Sequence, residues 1–168
     1  MTGPHPGRLR GVDALTCRPA GPGDLAAVRR LACGFDRVPA TPADAAFAAR
    51  FARLVASEDR ALPLAVCGGE PVGYALVQDY GPGLRREFGV ARLHDLYVDP
   101  AWRRRGAGRL LLDAVVAWCR ARPHPLILDW QARRDAAAFY AALGHTGDEA
   151  GDTATFPAYS IDLRQPSS

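Results

Sequence analysis

The run Val98-Asp99-Pro100-Ala101-Trp102-Arg103-Arg104-Arg105-Gly106-Ala107-Gly108 combines three features that suit an anion. A helix opening near Gly106 presents unpaired backbone N–H groups and the positive end of its dipole. Glycines at 106 and 108 remove side chains that would hold the backbone away from a ligand, and three consecutive arginines add charge. Such a loop can grip a diphosphate. A Gly-Ala-Gly triplet is weak information taken alone, and its weight here comes from lying between a strand and an amphipathic helix.

The strand before the loop is Arg92–Val98, ended by Asp99-Pro100. The helix after it runs from about Gly106 to Arg122, with Leu111, Val115 and Trp118 in one stripe and Leu112, Val116 and Cys119 beside it; Pro123 closes it. Upstream, Ala14–Arg18 reads as a short strand, and Asp24 as the cap of a helix that ends near Gly34. Thr41, Pro42 and Asp44 are a start signal for a second helix, whose inward stripe is Phe47, Phe51, Leu54 and Val55. Leu62–Cys67 and Val72–Gln78 flank a Gly-Gly-Glu-Pro turn and predict a hairpin. Residues 79–91 are polar and Gly/Pro-bearing and read as a loop. Downstream come a strand at Leu126–Asp129, a helix at Asp135–Leu143 ended by Gly144, and strands near His145–Gly147 and Thr155–Leu163. This order predicts an α/β fold, with a central mixed, mostly antiparallel sheet and helices on its faces.

The chain of 168 residues fits one domain, expected over 14–168 behind a flexible tail at 1–13. Its net charge of +3 is carried by arginine, because lysine is absent. The arginines are scattered among acids rather than gathered on one face, which argues against a nucleic-acid partner. No apolar run approaches the ~20 residues that span a bilayer, and the first residues lack a signal-peptide core. A cytoplasmic protein without a membrane partner is expected. Cys17, Cys33, Cys67 and Cys119 form no closely spaced pair, so no metal site is expected and the thiols read as reduced and mostly buried.

The residues from Leu96 to Leu111 resemble the acetyl-CoA loop of the GNAT superfamily of N-acetyltransferases. That loop reads Arg/Gln-x-x-Gly-x-Gly/Ala behind an apolar strand, and Arg103-Arg104-Arg105-Gly106-Ala107-Gly108 matches it throughout. The resemblance implies a GNAT-type acyl-CoA N-acyltransferase fold, with acetyl-CoA as cosubstrate. Backbone N–H groups from Arg104 to Arg109 would grip the pyrophosphate, and the backbone of Leu96, Tyr97 and Val98 would bind the pantetheine arm like an added strand. Ala136, Phe139, Tyr140 and Gly144 fit a second motif, Asn-x-x-Ala-x-x-Phe-Tyr-x-x-x-Gly-Phe. Arg133 stands at its Asn, which normally contacts the CoA arm, and His145 at its last Phe. The resemblance spans roughly residues 14–163.

By the same resemblance Tyr140 protonates the departing CoA thiolate, a task that suits a phenol. An amine acceptor must also lose a proton, because a free alkylamine is mostly charged at neutral pH. His94 and Asp95, at the family's Glu-Asp pair, are the candidate bases, directly or through water. Strand alternation places them on opposite faces unless a bulge intervenes. The Val98 backbone N–H is the expected donor to the oxyanion. Asp36, Asp79, Tyr80 and Glu87 are candidate contacts for a cationic amine, and Trp102 and Trp130 candidate packing groups near the cleft. The reaction expected is direct acetyl transfer to a primary amine of a small molecule or peptide, and a homodimer is compatible with the fold. A non-catalytic acyl-CoA-binding module of the same fold is the alternative, and an arginine-based nucleic-acid domain a more distant one.

Overall fold

The structure, a computed structural model, describes residues 14–148 and 156–164. The expected tail at 1–13 and Thr155, the first residue of the last expected strand, lie outside the described residues. Among the described residues seven strands form one sheet: β1 Thr16–Pro19, β2 Arg60–Ala61, β3 Pro63–Cys67, β4 Glu70–Pro82, β5 Gly89–Val98, β6 Leu126–Gln131 and β7 Ala158–Asp162. They lie in the order β1-β3-β4-β5-β6-β7, and β2 pairs with β4. Every pairing is antiparallel except that of β5 with β6.

A parallel pair needs a long crossover, and here α3, Ala107–Arg120, supplies it. Its buried residues Leu111, Leu112, Val115 and Cys119 form one core with Ala75, Val77, Leu93 and Leu128 of the sheet. The opposite face is covered by α1, Leu25–Phe35, and α2, Ala45–Val55, where Val28, Leu31 and Phe51 meet Leu62, Leu64, Val66 and Tyr74. The sheet is therefore mixed, mostly antiparallel and covered on both faces, as the order of elements predicts. A shorter helix, α4, Ala137–Ala142, follows a 3-10 turn at Arg134–Ala136.

Local signals were overruled in three places. The second helix starts three residues later than Thr41 suggests, because Asp44 is the residue whose carboxylate accepts the Phe47 N–H at 2.7 Å. Thr41 instead accepts a hydrogen bond from Arg29 at 2.8 Å. His145–Gly147 is not a strand; the next residue, Asp148, makes a single bridge to Ala158.

The third departure is the segment 79–91, most of which is strand. Asp79 pairs with Ala91 and Pro82 with Gly89, leaving a connection of residues 83–88. Gly81 takes a φ of 72°, and a side chain at Gly89 would lie 2.7 Å from the Gly81 backbone, so the glycines that read as breakers let the hairpin pair closely. Asp79 is thereby removed from the list of acceptor contacts. It is buried, bonded to the Gly81 N–H at 2.7 Å, to Arg122 at 2.9 Å and to His124 at 3.1 Å. Burial alone would raise its pKa, but these three donors hold it below the usual carboxylate range. The cluster ties the end of α3 to β4.

Candidate functional site

β5 and β6 are paired from Gly89↔Leu126 to Arg92↔Asp129, and there the pairing stops. Past that point the strands leave a notch, with Leu93–Val98 on one side and Trp130 on the other. A β-bulge lies at the parting: Val77 pairs with Leu93 and Leu76 with Asp95, so His94 is the extra residue. The bulge shifts the alternation of the strand. Leu93, Leu96 and Val98 all pack with the α3 core, while Tyr97 packs on the α1 side.

The same shift settles which backbone groups the notch receives. Asp99 donates its N–H to the Val72 carbonyl at 2.9 Å, so in an antiparallel ladder the next residue pair, Val98 with Gly73, is a non-bonded one. By that alternation the amides of Leu96 and Val98 turn away from β4 and towards the notch, whereas those of Tyr97 belong to the β4 ladder. Arg103 Nε donates to the Val98 carbonyl at 3.0 Å, and its guanidinium lies 5.8 Å from the Tyr97 ring centroid. Arg103 thus secures the end of β5.

The loop from β5 into α3 contains two left-handed residues, Arg104 (φ 63°) and Gly106 (φ 89°). Gly106 caps α3, and Leu110 N–H is bonded to the Gly106 carbonyl, so the N–H groups of Ala107, Gly108 and Arg109 belong to the unbonded first turn. Arg104, Arg105 and Arg109 are exposed around it, with Arg105 5.0 Å from the centroid of the half-buried Trp102 ring. Gly108 has a packing reason beside the one expected. A β-carbon there would stand 2.8 Å from the Phe139 ring, so this glycine lets α4 pack onto α3. Gly108→Ala should cost about 1–3 kcal/mol through that overlap, read as a lower denaturation midpoint with an unchanged m-value.

Tyr140 is buried, its ring centroid 5.3 Å from Trp130, 4.8 Å from Tyr159 and 4.9 Å from Phe139. Its phenol is pushed up to about 12, first by burial and then by Tyr159, with the Trp130 indole acting in the opposite direction. Asp95 accepts a hydrogen bond from the Tyr74 hydroxyl at 3.1 Å. Burial raises the Asp95 pKa, against the Tyr74 bond and His94, and Asp36 adds to the rise. Burial and Asp95 likewise raise Tyr74. His94 is exposed at the bulge, 6.5 Å from the Tyr80 ring; partial desolvation takes it below the ordinary imidazole value, Asp95 opposing and Arg92 and Arg60 reinforcing. Arg133 opens the turn after β6 as an exposed residue 3.6 Å from Asp135, and Ala136 is half-buried at the end of that turn.

A family model, described as the acetyltransferase (GNAT) family, matches residues 26–145. The chain belongs to this family. Solved structures share the fold: a transcriptional regulator from Bacillus halodurans (24% identity, 82% of this chain and 97% of that one, TM-score 0.70), an acetyltransferase from Trypanosoma brucei (21%, 82% and 96%, 0.68) and glucosamine-6-phosphate N-acetyltransferase from Arabidopsis thaliana (16%, 83% and 96%, 0.70). A comparison with curated proteins found no match.

In this GNAT acetyltransferase His94, Asp95, Leu96 and Val98 lie on β5 past its last pair with β6, the α3 loop follows them in the chain, and Tyr140 packs on Trp130 across the parting. Glu87 lies in the exposed β4–β5 connection, and Tyr80 is 59% exposed. Asp36 is close enough to act on both Tyr74 and Asp95. Sequence reasoning missed Phe35 and Tyr74, which with Tyr97 form a triad of rings 6.4–6.5 Å apart on the α1 side. Tyr74 stands opposite Tyr97 through the β4–β5 register, which the reading of 79–91 as a loop did not contain. Trp130, read as a packing group, is fully buried at the notch. Among the described residues no helix is long and apolar enough to cross a membrane, and no three His, Cys, Asp or Glu side chains are placed to hold a metal ion.

Proposed function

We propose that this protein transfers the acetyl group of acetyl-CoA directly to a primary amine in a ternary complex. The observation that carries the proposal is the notch between β5 and β6, with amides directed into it and the unbonded turn of α3 beside it. The residues suit the cosubstrate. Ala107, Gly108 and Arg109 offer N–H groups to the diphosphate under the exposed arginines, and Leu96 and Val98 offer amides to the pantetheine arm. Acetyl-CoA would supply an activated acyl carbon and a thiol leaving group. The Val98 N–H is the donor assigned to the carbonyl oxygen, and Tyr140 the acid assigned to the sulfur.

On the α1 side, the carboxylates of Asp36 and Asp95 and the rings of Phe35, Tyr74 and Tyr97 favour a positively charged acceptor. His94 takes its proton, because a depressed imidazole pKa leaves it neutral and basic at pH 7. kcat/KM falls as pH drops through the His94 pKa, at a midpoint below the ordinary ~6.5. His94→Ala should remove this acid limb and lower kcat about 10²-fold, at the weak end for a general base because water reaches the exposed site. A pH–rate profile of both proteins checks it.

The reaction itself is tested by thiol release from acetyl-CoA over a panel of cationic, neutral and anionic amines. Turnover with cationic amines supports the proposal. Acetyl-CoA binding with no turnover on any amine would mark a non-catalytic acyl-CoA-binding module instead.

A further inference from the structure

The β6 strand delivers Trp130 to the point where β5 and β6 part, one residue beyond the last pair, Arg92↔Asp129. The side chain is 1% exposed, enclosed by Tyr140 at 5.3 Å, Tyr159 at 5.4 Å and His145 at 5.8 Å between ring centroids. Its indole Nε1 is buried and makes no hydrogen bond to any described residue. Buried donors are nearly always bonded, because desolvating one without a partner is unfavourable. A phenylalanine would pack against the same two tyrosines without that cost. The Nε1 nevertheless lies near enough to the Tyr140 hydroxyl to be the group that opposes the upward push of burial and Tyr159 on that phenol.

The chemistry at Tyr140 gives this donor a use. A phenol near 12 is a weaker acid than an alkyl thiol, whose ordinary value is ~8.5, so passing a proton to the departing sulfur is uphill unless the phenolate is stabilised. Within the core a charge-assisted hydrogen bond is stronger than a neutral one. A donor unbonded beside the neutral phenol and bonded to the phenolate acts mainly on the transition state. We propose that the Trp130 indole N–H is a positioning residue for acetyl transfer, donating to the Tyr140 oxygen as that oxygen gives up its proton.

The proposal rests on the assignment of Tyr140 as the acid. In the step, the acceptor's ammonium gives one proton to His94, and the neutral nitrogen then forms the C–N bond and releases its second proton to solvent. The C–S bond breaks with its electron pair on sulfur, and sulfur receives the Tyr140 proton. Negative charge then rests on the Tyr140 oxygen, facing the indole, until solvent returns a proton to it and removes one from His94.

The test is a double-mutant cycle of Trp130→Phe and Tyr140→Phe, with kcat, KM for acetyl-CoA and thermal midpoint measured for each protein. Trp130→Phe keeps an aromatic ring in the slot and removes the donor. The expected result is a kcat about tenfold lower with KM changed less than about twofold, and no further loss when Trp130→Phe is added to Tyr140→Phe. An equal loss in both backgrounds, or no loss in the native background, would overturn the role of Trp130. If Tyr140→Phe itself leaves kcat unchanged, the acid assignment has failed, and the two failures are separate readings of one cycle. Trp130→His, which keeps a ring N–H, controls for packing: recovery of kcat above that of Trp130→Phe supports the donor.

Discussion

Tyr140→Phe is expected to lower kcat about 10²-fold while leaving KM for acetyl-CoA within about twofold. The substitution removes one hydroxyl from a ring held by Trp130, Phe139 and Tyr159, so the α4 packing is kept. Because its pKa is pushed up to about 12, Tyr140 is protonated throughout the neutral range. No alkaline loss of kcat from this group is expected near pH 8 or 9. Steady-state kinetics with a good acceptor check the first point and a pH profile the second. A kcat equal to that of the native protein would remove Tyr140 from the mechanism.

The second large effect falls on stability. Asp79→Ala should cost about 3 kcal/mol at pH 7, because it leaves Arg122 and His124, both largely covered, without their shared anion. Urea unfolding at pH 7 measures it. The sign with pH follows from the depressed pKa of Asp79. Its stabilisation is complete above the unfolded carboxylate value of ~3.9 and is lost as pH falls through the lower folded value. The difference between native and variant protein should therefore shrink in strong acid. Acetyl-CoA affinity should survive, since the cluster lies at the opposite end of α3 from the loop.

The contrast between Asp79 and Asp95 shows how far a linear reading goes. Asp79 opens an apparent loop and Asp95 sits within an apparent strand, and neither placement names the side chains each will meet. Pairing across the hairpin buries one against Arg122 and His124, and the other against Tyr74 at the notch. Gly108 is similar: its place in the motif was legible, but its contact with Phe139, thirty-one positions away, was not.

The anion-binding loop was legible because all its requirements are local: a strand end, two glycines, an arginine run and an amphipathic helix within one short stretch. The mixed sheet followed from the order of elements for a similar reason, since connection length and hydrophobic period constrain topology. The notch was not legible. Its bulge at His94 depends on a register between β4 and β5, and that register decides that Leu96 and Val98, rather than Tyr97, direct their amides into the opening. The unbonded Trp130 donor beside Tyr140 likewise exists because α4 and β7 close around β6. Periodicity reports which face a residue occupies; side-chain partners and backbone alternation are set by what packs and pairs across from it.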